Sequence, residues 1–339
     1  QKVKEALYLF LLQKREENEL SQAFTAYNTR IVTPPHGSML PTSPVRKNIF
    51  MVAFALGLLI PVVIIFMREN MNTRVRGRKD LENVTVPFIG EIPLFTRKKK
   101  GIFGKKPQEV KAVVVKEGSR DIINEAFRVL RTNLEFMTGK DKTSNVIIVT
   151  SFNPGSGKSF LTMNIAMSFA IKGKKVLVID GDLRHGSASS YIDSPDKGLS
   201  DYLGGRIDKL DEIIVPDPRH KSMDILPVGT IPPNPTELLF DERLKQAIDA
   251  VRERYDYVLI DCPPIELVAD TQIIEKLGDR TIFVVRAGLL ERSMLAELEK
   301  IYGEKKYKNM SLILNGTEGS GGRYGYRYGY RYGYHYGYG

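Results

Sequence analysis

Ile49 to Met67 reads IFMVAFALGLLIPVVIIFM, nineteen residues without a charge. At about 1.5 Å of rise per residue such a helix is close to the ~30 Å hydrocarbon thickness of a bilayer, and few core helices are apolar on every face for this length. The run predicts a transmembrane helix. Pro61 inside it is tolerated, because freed backbone groups can be satisfied again within the bilayer. Before the run, Val3, Leu7, Phe10, Leu11, Leu20, Phe24 and Tyr27 stand among charges, a pattern that predicts an amphipathic or coiled-coil helix over residues 3–27. Pro34, Pro35, Pro41 and Pro44 then form a stiff approach to the membrane. After it, residues 68–113 read as a basic linker with a small ordered island near Val86 to Leu94. From Asn145 onward, short β-branched runs alternate with helix-like segments: VIIVT (146–150), VLVID (176–180), YVLID (257–261), TIFVVR (281–286) and LILN (312–315). Near-continuous apolar strands separated by helices predict a doubly wound, mostly parallel α/β sheet over residues 114–318, covered on both faces. Residues 319–339, GSGGRYGYRYGYRYGYHYGYG, are of low complexity, and their glycines predict disorder.

Charge gives this plan a direction. Fifty Lys and Arg against forty Asp and Glu leave a net +10, which raises the question of nucleic acid or an anionic membrane surface. Much of the excess lies in Arg68 to Lys79 and Arg97 to Lys106, directly after the apolar run, so a membrane surface is the better reading and no nucleic-acid partner is expected. Arg68, Arg74, Arg76, Arg78 and Lys79 outnumber Arg46 and Lys47 on the other side, which places residues 68 onward in the cytoplasm and residues 1–48 in the periplasm. The chain opens at Gln1 without an initiator Met or an export signal, and is expected to continue a longer protein. The single Cys262 excludes an internal disulfide, and four scattered histidines (His36, His185, His220, His335) offer no evident zinc cluster.

Between the first sheet strand and the next helix stands Ser151-Phe-Asn-Pro-Gly-Ser-Gly-Lys-Ser159. Pro154, Gly155, Ser156 and Gly157 form a loop whose two glycines let backbone N–H groups from Gly155 onward close around phosphate oxygens, with Lys158 reaching the terminal phosphates and Ser159 able to ligate Mg²⁺. This is a P-loop, although Phe152 occupies the first glycine position of the usual pattern. Asp180 and Asp182 (VLVIDGDLR) and Asp261 (VLIDCPP) lie at the C-terminal ends of strands, where such sheets bind ligands. Three carboxylates exceed what Mg²⁺ requires, and a tyrosine hydroxyl of pKa ~10 needs a proton acceptor as it attacks phosphorus. The competing reading is that Asp180 or Asp182 caps the next helix or holds Arg184.

With these motifs in place, residues 114–318 resemble the bacterial tyrosine kinases, P-loop relatives of the MinD and ParA ATPases. The resemblance rests on VTSFNPGSGKS, VLVIDGDLR and VLIDCPP, with GLSDYLGG (198–205), PPNPTELL (232–239) and the ExxRxxR run of Glu125, Arg128 and Arg131 in support. LLQKREE (11–17), the proline approach and the membrane helix resemble the polysaccharide co-polymerase half carried by Gram-negative members. The resemblance implies ATP and Mg²⁺ as cofactors, with Lys158 on the phosphates, Ser159 and Asp182 on Mg²⁺, Asp261 acting on it through water, Asp180 orienting or deprotonating the acceptor, and Asn315 reading the adenine. It also implies an inner-membrane homo-oligomer that phosphorylates Tyr324, Tyr326, Tyr328, Tyr330, Tyr332, Tyr334, Tyr336 and Tyr338 of its own tail. That modification would control assembly and exopolysaccharide polymerisation and export, alongside a cognate tyrosine phosphatase and the export machinery.

Without the resemblance, Glu125, Arg128 and Arg131 on one helix face read as ion pairs within the helix, Arg184 and Arg286 as strand-end salt-bridge residues, and Cys262 as a small residue after the Mg²⁺ carboxylate. A membrane ATPase of the MinD and ParA kind is the rival enzyme, and a non-kinase chain-length regulator the rival scaffold. The tyrosine density of the tail argues against the first, as does Asn153 where that group has a signature Lys. Intact Lys158, Ser159, Asp182 and Asp261 argue against the second.

Overall fold

The computed structural model describes residues 2–24, 37, 43, 45–95, 112–138, 145–265 and 270–318. They fall into two units, Gln1–Met71 and Asn72–Gly339. The tyrosine tail lies outside the described residues.

The first unit contains helices α1 (Lys2–Phe24) and α2 (Arg46–Asn70). Ion pairs at helical spacing, Lys14 to Glu17 (2.6 Å) and Arg15 to Glu19 (3.0 Å), lie along α1 and add only a few tenths of a kcal/mol each. Within α2, Arg46–Met67 is long and apolar enough to cross a membrane, with a mean hydropathy of 3.0.

In chain order the second unit contains β1 (Phe88–Pro93), α3 (Ile122–Thr138), β2 (Val146–Ser151), α4 (Lys158–Ile171), β3 (Val176–Asp180), α5 (Leu199–Leu203), β4 (Val215–Pro216), β5 (Met223–Leu226), α6 (Pro235–Leu239), α7 (Glu242–Arg252), β6 (Tyr257–Asp261), α8 (Asp270–Glu275), β7 (Arg280–Arg286), α9 (Met294–Gly303) and β8 (Met310–Thr317). The strands form one sheet in the order β1-β8-β7-β2-β6-β3-β5-β4, and only the β4–β5 pair is antiparallel. A strand's side chains alternate between faces, and β2 feeds two cores in this way. Ile147 and Val149 join Phe127, Leu130, Leu161 and Phe169 of α3 and α4, whereas Val146 and Ile148 join Leu199, Leu244, Ile248 and Ile274 of α5, α7 and α8. Helix α3 buries Ile123, Phe127, Leu130, Leu134 and Thr138, spaced three or four apart along one face. The doubly wound reading therefore holds, with the P-loop strand in the middle of the sheet.

One expectation is corrected. Residues 72–95 belong to the folded unit rather than to a linker ending at 113. Strand β1 pairs in parallel with β8 at the sheet edge, and Val75 is fully buried with Leu81, Val86, Phe283 and Leu290. The backbone there is latched across the chain, with Val75 N–H donating to Leu290 O (2.8 Å) and Gly288 N–H to Val75 O (2.7 Å). The ordered island expected near Val86 to Leu94 is this strand, and the basic residues before it hid that the folded unit begins near residue 72. Strands β4 and β5 also went unread. They are short, and Asp224 interrupts the apolar run of β5.

Candidate active site

The loop between β2 and α4 takes its shape from two glycines. Gly155 (φ +72°) and Gly157 (φ +84°) occupy the left-handed region that penalises side chains. At Gly157 space forbids one as well, since a Cβ would lie 2.2 Å from Asn315 Nδ2. Ser151 and Ser156 hydroxyls both donate to the Asn153 carbonyl (2.8 and 2.7 Å), and Asn315 Nδ2 donates to the Ser156 carbonyl (2.8 Å). Phe152 is 2% exposed and packs edge-to-face on Phe283 with ring centroids 4.8 Å apart. Its position is a core position, which explains why the loop dispenses with a glycine there. Gly155, Gly157, Lys158 and Ser159 line a cavity of about 210 Å³ that is closed on other sides by Leu94, Phe95, Tyr191, Arg286 and Asn315.

Adjacent strands carry the carboxylates. Asp180 ends β3, Asp261 ends β6, and the two are partners in register. Both are buried. Burial lifts Asp180 to about 6 and the charge of Asp182 adds to this, while hydrogen bonds from Ser189 oppose it. Asp261 rises to about 8, again chiefly by burial and then by the charge of Asp180, with Lys158 and Ser159 pulling the other way. Ser189 donates its N–H (2.6 Å) and its hydroxyl (2.7 Å) to Asp180 Oδ2. Asp180 Oδ1 and both Asp261 oxygens are buried without a hydrogen-bond partner among the described residues.

Orphaned buried oxygens are costly in an apolar surrounding and form the donor set a hard cation seeks. Among the described residues no three Asp, Glu, His or Cys side chains converge on a common point. Mg²⁺ takes one or two carboxylates and leaves its other positions to water and phosphate. The residues present fit such an ion, with Ser159, Asp182 and Asp261 as candidate holders.

The competing cap reading is met in part by both aspartates of β3 and its following turn. Asp182 Oδ1 accepts from Arg184 N–H (3.3 Å) and lies 3.2 Å from His185 Nδ1. Arg184 is a salt-bridge residue, 3.1 Å from buried Asp270 and 3.0 Å from the Thr236 hydroxyl, which itself donates to Asp270 (2.7 Å). Cys262 is fully buried and its thiol pKa is pushed well up by that burial, the condition of an inert thiol. On α3, Glu125 and Arg128 pair with each other, whereas Arg131 donates to the Ser168 carbonyl of α4 (2.8 Å). Asn315 lies on the cavity wall with its amide N–H on the P-loop.

Comparison with known proteins places these features in a family. An "AAA domain" profile matches residues 144–289, and a "G-rich domain on putative tyrosine kinase" profile matches residues 1–70. The solved BceF tyrosine kinase domain is 30% identical, with a TM-score of 0.60 over 72% of this chain and 99% of its own. The chain belongs to the bacterial tyrosine kinases. The kinase domain of Escherichia coli ETK is 28% identical with a TM-score of 0.64, covering 78% of this chain and all of that domain. The tyrosine-protein kinase etk of E. coli K12 is 31% identical over 299 residues, 84% of this chain and 40% of the relative. The chain spans less than half the length of the curated tyrosine kinases it matches.

Several residues of this site escape the motifs. Leu94, Phe95 and Tyr191 line the cavity, and Ser189 holds Asp180, yet neither spacing nor residue type marks them. Their positions depend on β1 reaching the sheet edge and on the turn after β3.

Proposed function

We propose that the chain is the membrane-anchored kinase end of an exopolysaccharide-assembly protein, transferring the γ-phosphoryl group of ATP to tyrosines of its own tail. The observation that carries this reading is the cavity at the P-loop beside two buried, under-satisfied carboxylates on adjacent strand ends. The acceptor oxygen forms a bond to the γ-phosphorus, the bond from that phosphorus to the β,γ-bridging oxygen breaks, ADP leaves, and the tyrosine proton passes to Asp180. Lys158 and the backbone N–H groups of residues 155–159 neutralise and orient the phosphates. Asn315 steadies the loop through Ser156 and keeps its amide oxygen for the adenine. Ser159 and Asp182, with Asp261 acting through water, would hold Mg²⁺, which would supply charge neutralisation at the phosphates.

The apolar helix Arg46–Met67 anchors the chain in the inner membrane, with residues 68 onward cytoplasmic and the N-terminal segment periplasmic. A cognate phosphatase would reset the tail, and the export machinery is the partner on which the cycle acts. Incubating the purified chain with Mg·ATP and mapping modifications by mass spectrometry should yield phosphate on several of Tyr324 to Tyr338. Truncation before Arg323 should remove most of it. Phosphate confined to nucleotide hydrolysis, with unmodified tyrosines, would instead indicate a membrane ATPase.

The exposed face of α3 supports self-association. Ile122, Val129 and Phe136 are 78, 56 and 81% exposed and recur every seven residues beside the Glu125–Arg128 pair. Changing Arg128 and Arg131 to Ala together should shift the protein toward monomer in sedimentation, while an unchanged mass would leave the motif as local ion pairing. Because Arg131 also ties α3 to α4, circular dichroism must first show the fold retained.

A further inference from the structure

We propose that Ser189 is a positioning residue for phosphoryl transfer, fixing one oxygen of Asp180 and leaving the other without a partner to receive the acceptor tyrosine's proton. This rests on the assignment of Asp180 as the group that receives the tyrosine proton.

Hydroxyl bookkeeping sets the direction of the contact. Ser189 Oγ accepts the Val228 N–H (2.8 Å) and lies 2.7 Å from Asp180 Oδ2. A hydroxyl has one proton and two lone pairs. With a lone pair committed to Val228, the proton goes to Asp180, and the rotor is locked. Ser189 N–H supplies a second bond to the same oxygen (2.6 Å). Oδ2 is thereby doubly held, whereas Oδ1 has no partner among the described residues. Ser189 is 3% exposed, so water does not substitute for either contact. Its neighbours Ser187 and Tyr191 line the nucleotide cavity, which puts this short turn at the border between nucleotide and carboxylate.

What makes Val228 a fixed point is the GLSDYLGG run, which the nucleotide site itself does not use. Leu199 N–H donates to Pro227 O (2.8 Å) and Ser200 N–H to Val228 O (2.9 Å), and the Ser200 hydroxyl donates to Thr230 O. Asp201 Oδ2 accepts from Gly198 N–H (2.9 Å). Gly198 and Gly229 are pressed backbone to backbone, since a Cβ on either would lie 2.3 Å from the other's nitrogen. A brace of main-chain bonds therefore runs from α5 through the end of β5 to Ser189 and ends on Asp180. No step in it depends on a long, flexible side chain. Misplacing a reacting group by about 1 Å can cost on the order of 100-fold, so removal of this brace should register in turnover.

The test compares Ser189→Ala, Ser189→Thr, Asp180→Ala and the Ala–Ala double variant in the full chain. Tyrosine phosphorylation under Mg·ATP, ADP affinity and melting temperature are measured for each. Ser189→Ala should lower kcat by roughly 10- to 100-fold, with ADP affinity and KM for ATP within about threefold of the unsubstituted chain. Ser189→Thr, which keeps the hydroxyl, should recover most of the loss. In the Asp180→Ala background the Ser189 substitution should add no further loss, as expected of residues acting as one unit. A kcat within twofold in Ser189→Ala overturns the proposal. So does a loss that tracks melting temperature and ADP affinity without rescue by Thr, or one that persists fully on Asp180→Ala. Normal turnover in Asp180→Ala would instead sink the proton-acceptor assignment, and the role of Ser189 with it. Absence of phosphotyrosine in the unsubstituted chain would sink the kinase reading itself, and this proposal with it.

Discussion

Replacing Lys158 by Met should lower tyrosine phosphorylation at least tenfold while leaving the domain folded. Lys158 is the first residue of α4 and only 8% exposed. Met has similar length and fills the same space, so the change removes charge rather than volume. A hydrogen bond to a charged partner contributes roughly 1.5–3 kcal/mol, which is about 10- to 150-fold in rate if it is made fully in the transition state. Its charge already acts on buried Asp261 in the resting protein, against the neighbouring charges of Asp180 and Asp182. Without it, the charge of the phosphates and that of Asp261 would be less compensated. Phosphotyrosine blotting after a fixed time with Mg·ATP, beside a melting curve, checks this. Undiminished phosphorylation in a homogeneous preparation would mean that the P-loop is not the donor site.

Without nucleotide and metal, the protein should lose stability as pH rises from about 4 toward 8. Asp180 and Asp261 have folded pKa values raised from 3.8 to about 6 and about 8. A carboxyl raised on folding binds more protons in the native than in the unfolded state, so its stabilisation is complete below the ordinary value near 4. It is lost as pH climbs through the folded value. By pH 8 two buried carboxylates are being charged side by side. Asp261→Asn removes one of them and should raise the nucleotide-free melting temperature at pH 8. A gain of about 1–2 kcal/mol corresponds to roughly 2–8 °C for a domain of this size. The same substitution should do little at pH 5, where Asp261 is protonated in the folded protein. Mg·ADP should stabilise the unsubstituted protein far more than the variant, because occupancy of the site by cation offsets the buried charge. Scanning calorimetry at both pH values checks these signs, and an equal effect of Asp261→Asn at pH 5 and pH 8 would refute them.

Much of this protein could be read from the chain because the relevant signals are local. The apolar run of α2 needs no partner to declare itself, since length and the absence of charge suffice. Five of the strands showed as β-branched runs because a central parallel strand is buried on both faces. Lys158, Ser159, Asp180, Asp182 and Asp261 could be named because a phosphate cradle is built from consecutive residues, and strand-end carboxylates follow their strands directly. Only the tertiary structure decided the features that join distant segments. The basic stretch after α2 became part of the sheet through pairing of β1 with β8, more than 200 residues away. Arg131 turned inward to the Ser168 carbonyl instead of joining the Glu125–Arg128 pair. The anchoring of Asp180 by Ser189, braced through Val228 and the glycines at 198 and 229, combines contacts 9 and 39 residues apart. Such contacts depend on how the chain crosses itself rather than on any local period, so spacing could announce the phosphate loop but not the groups that aim the carboxylate beside it.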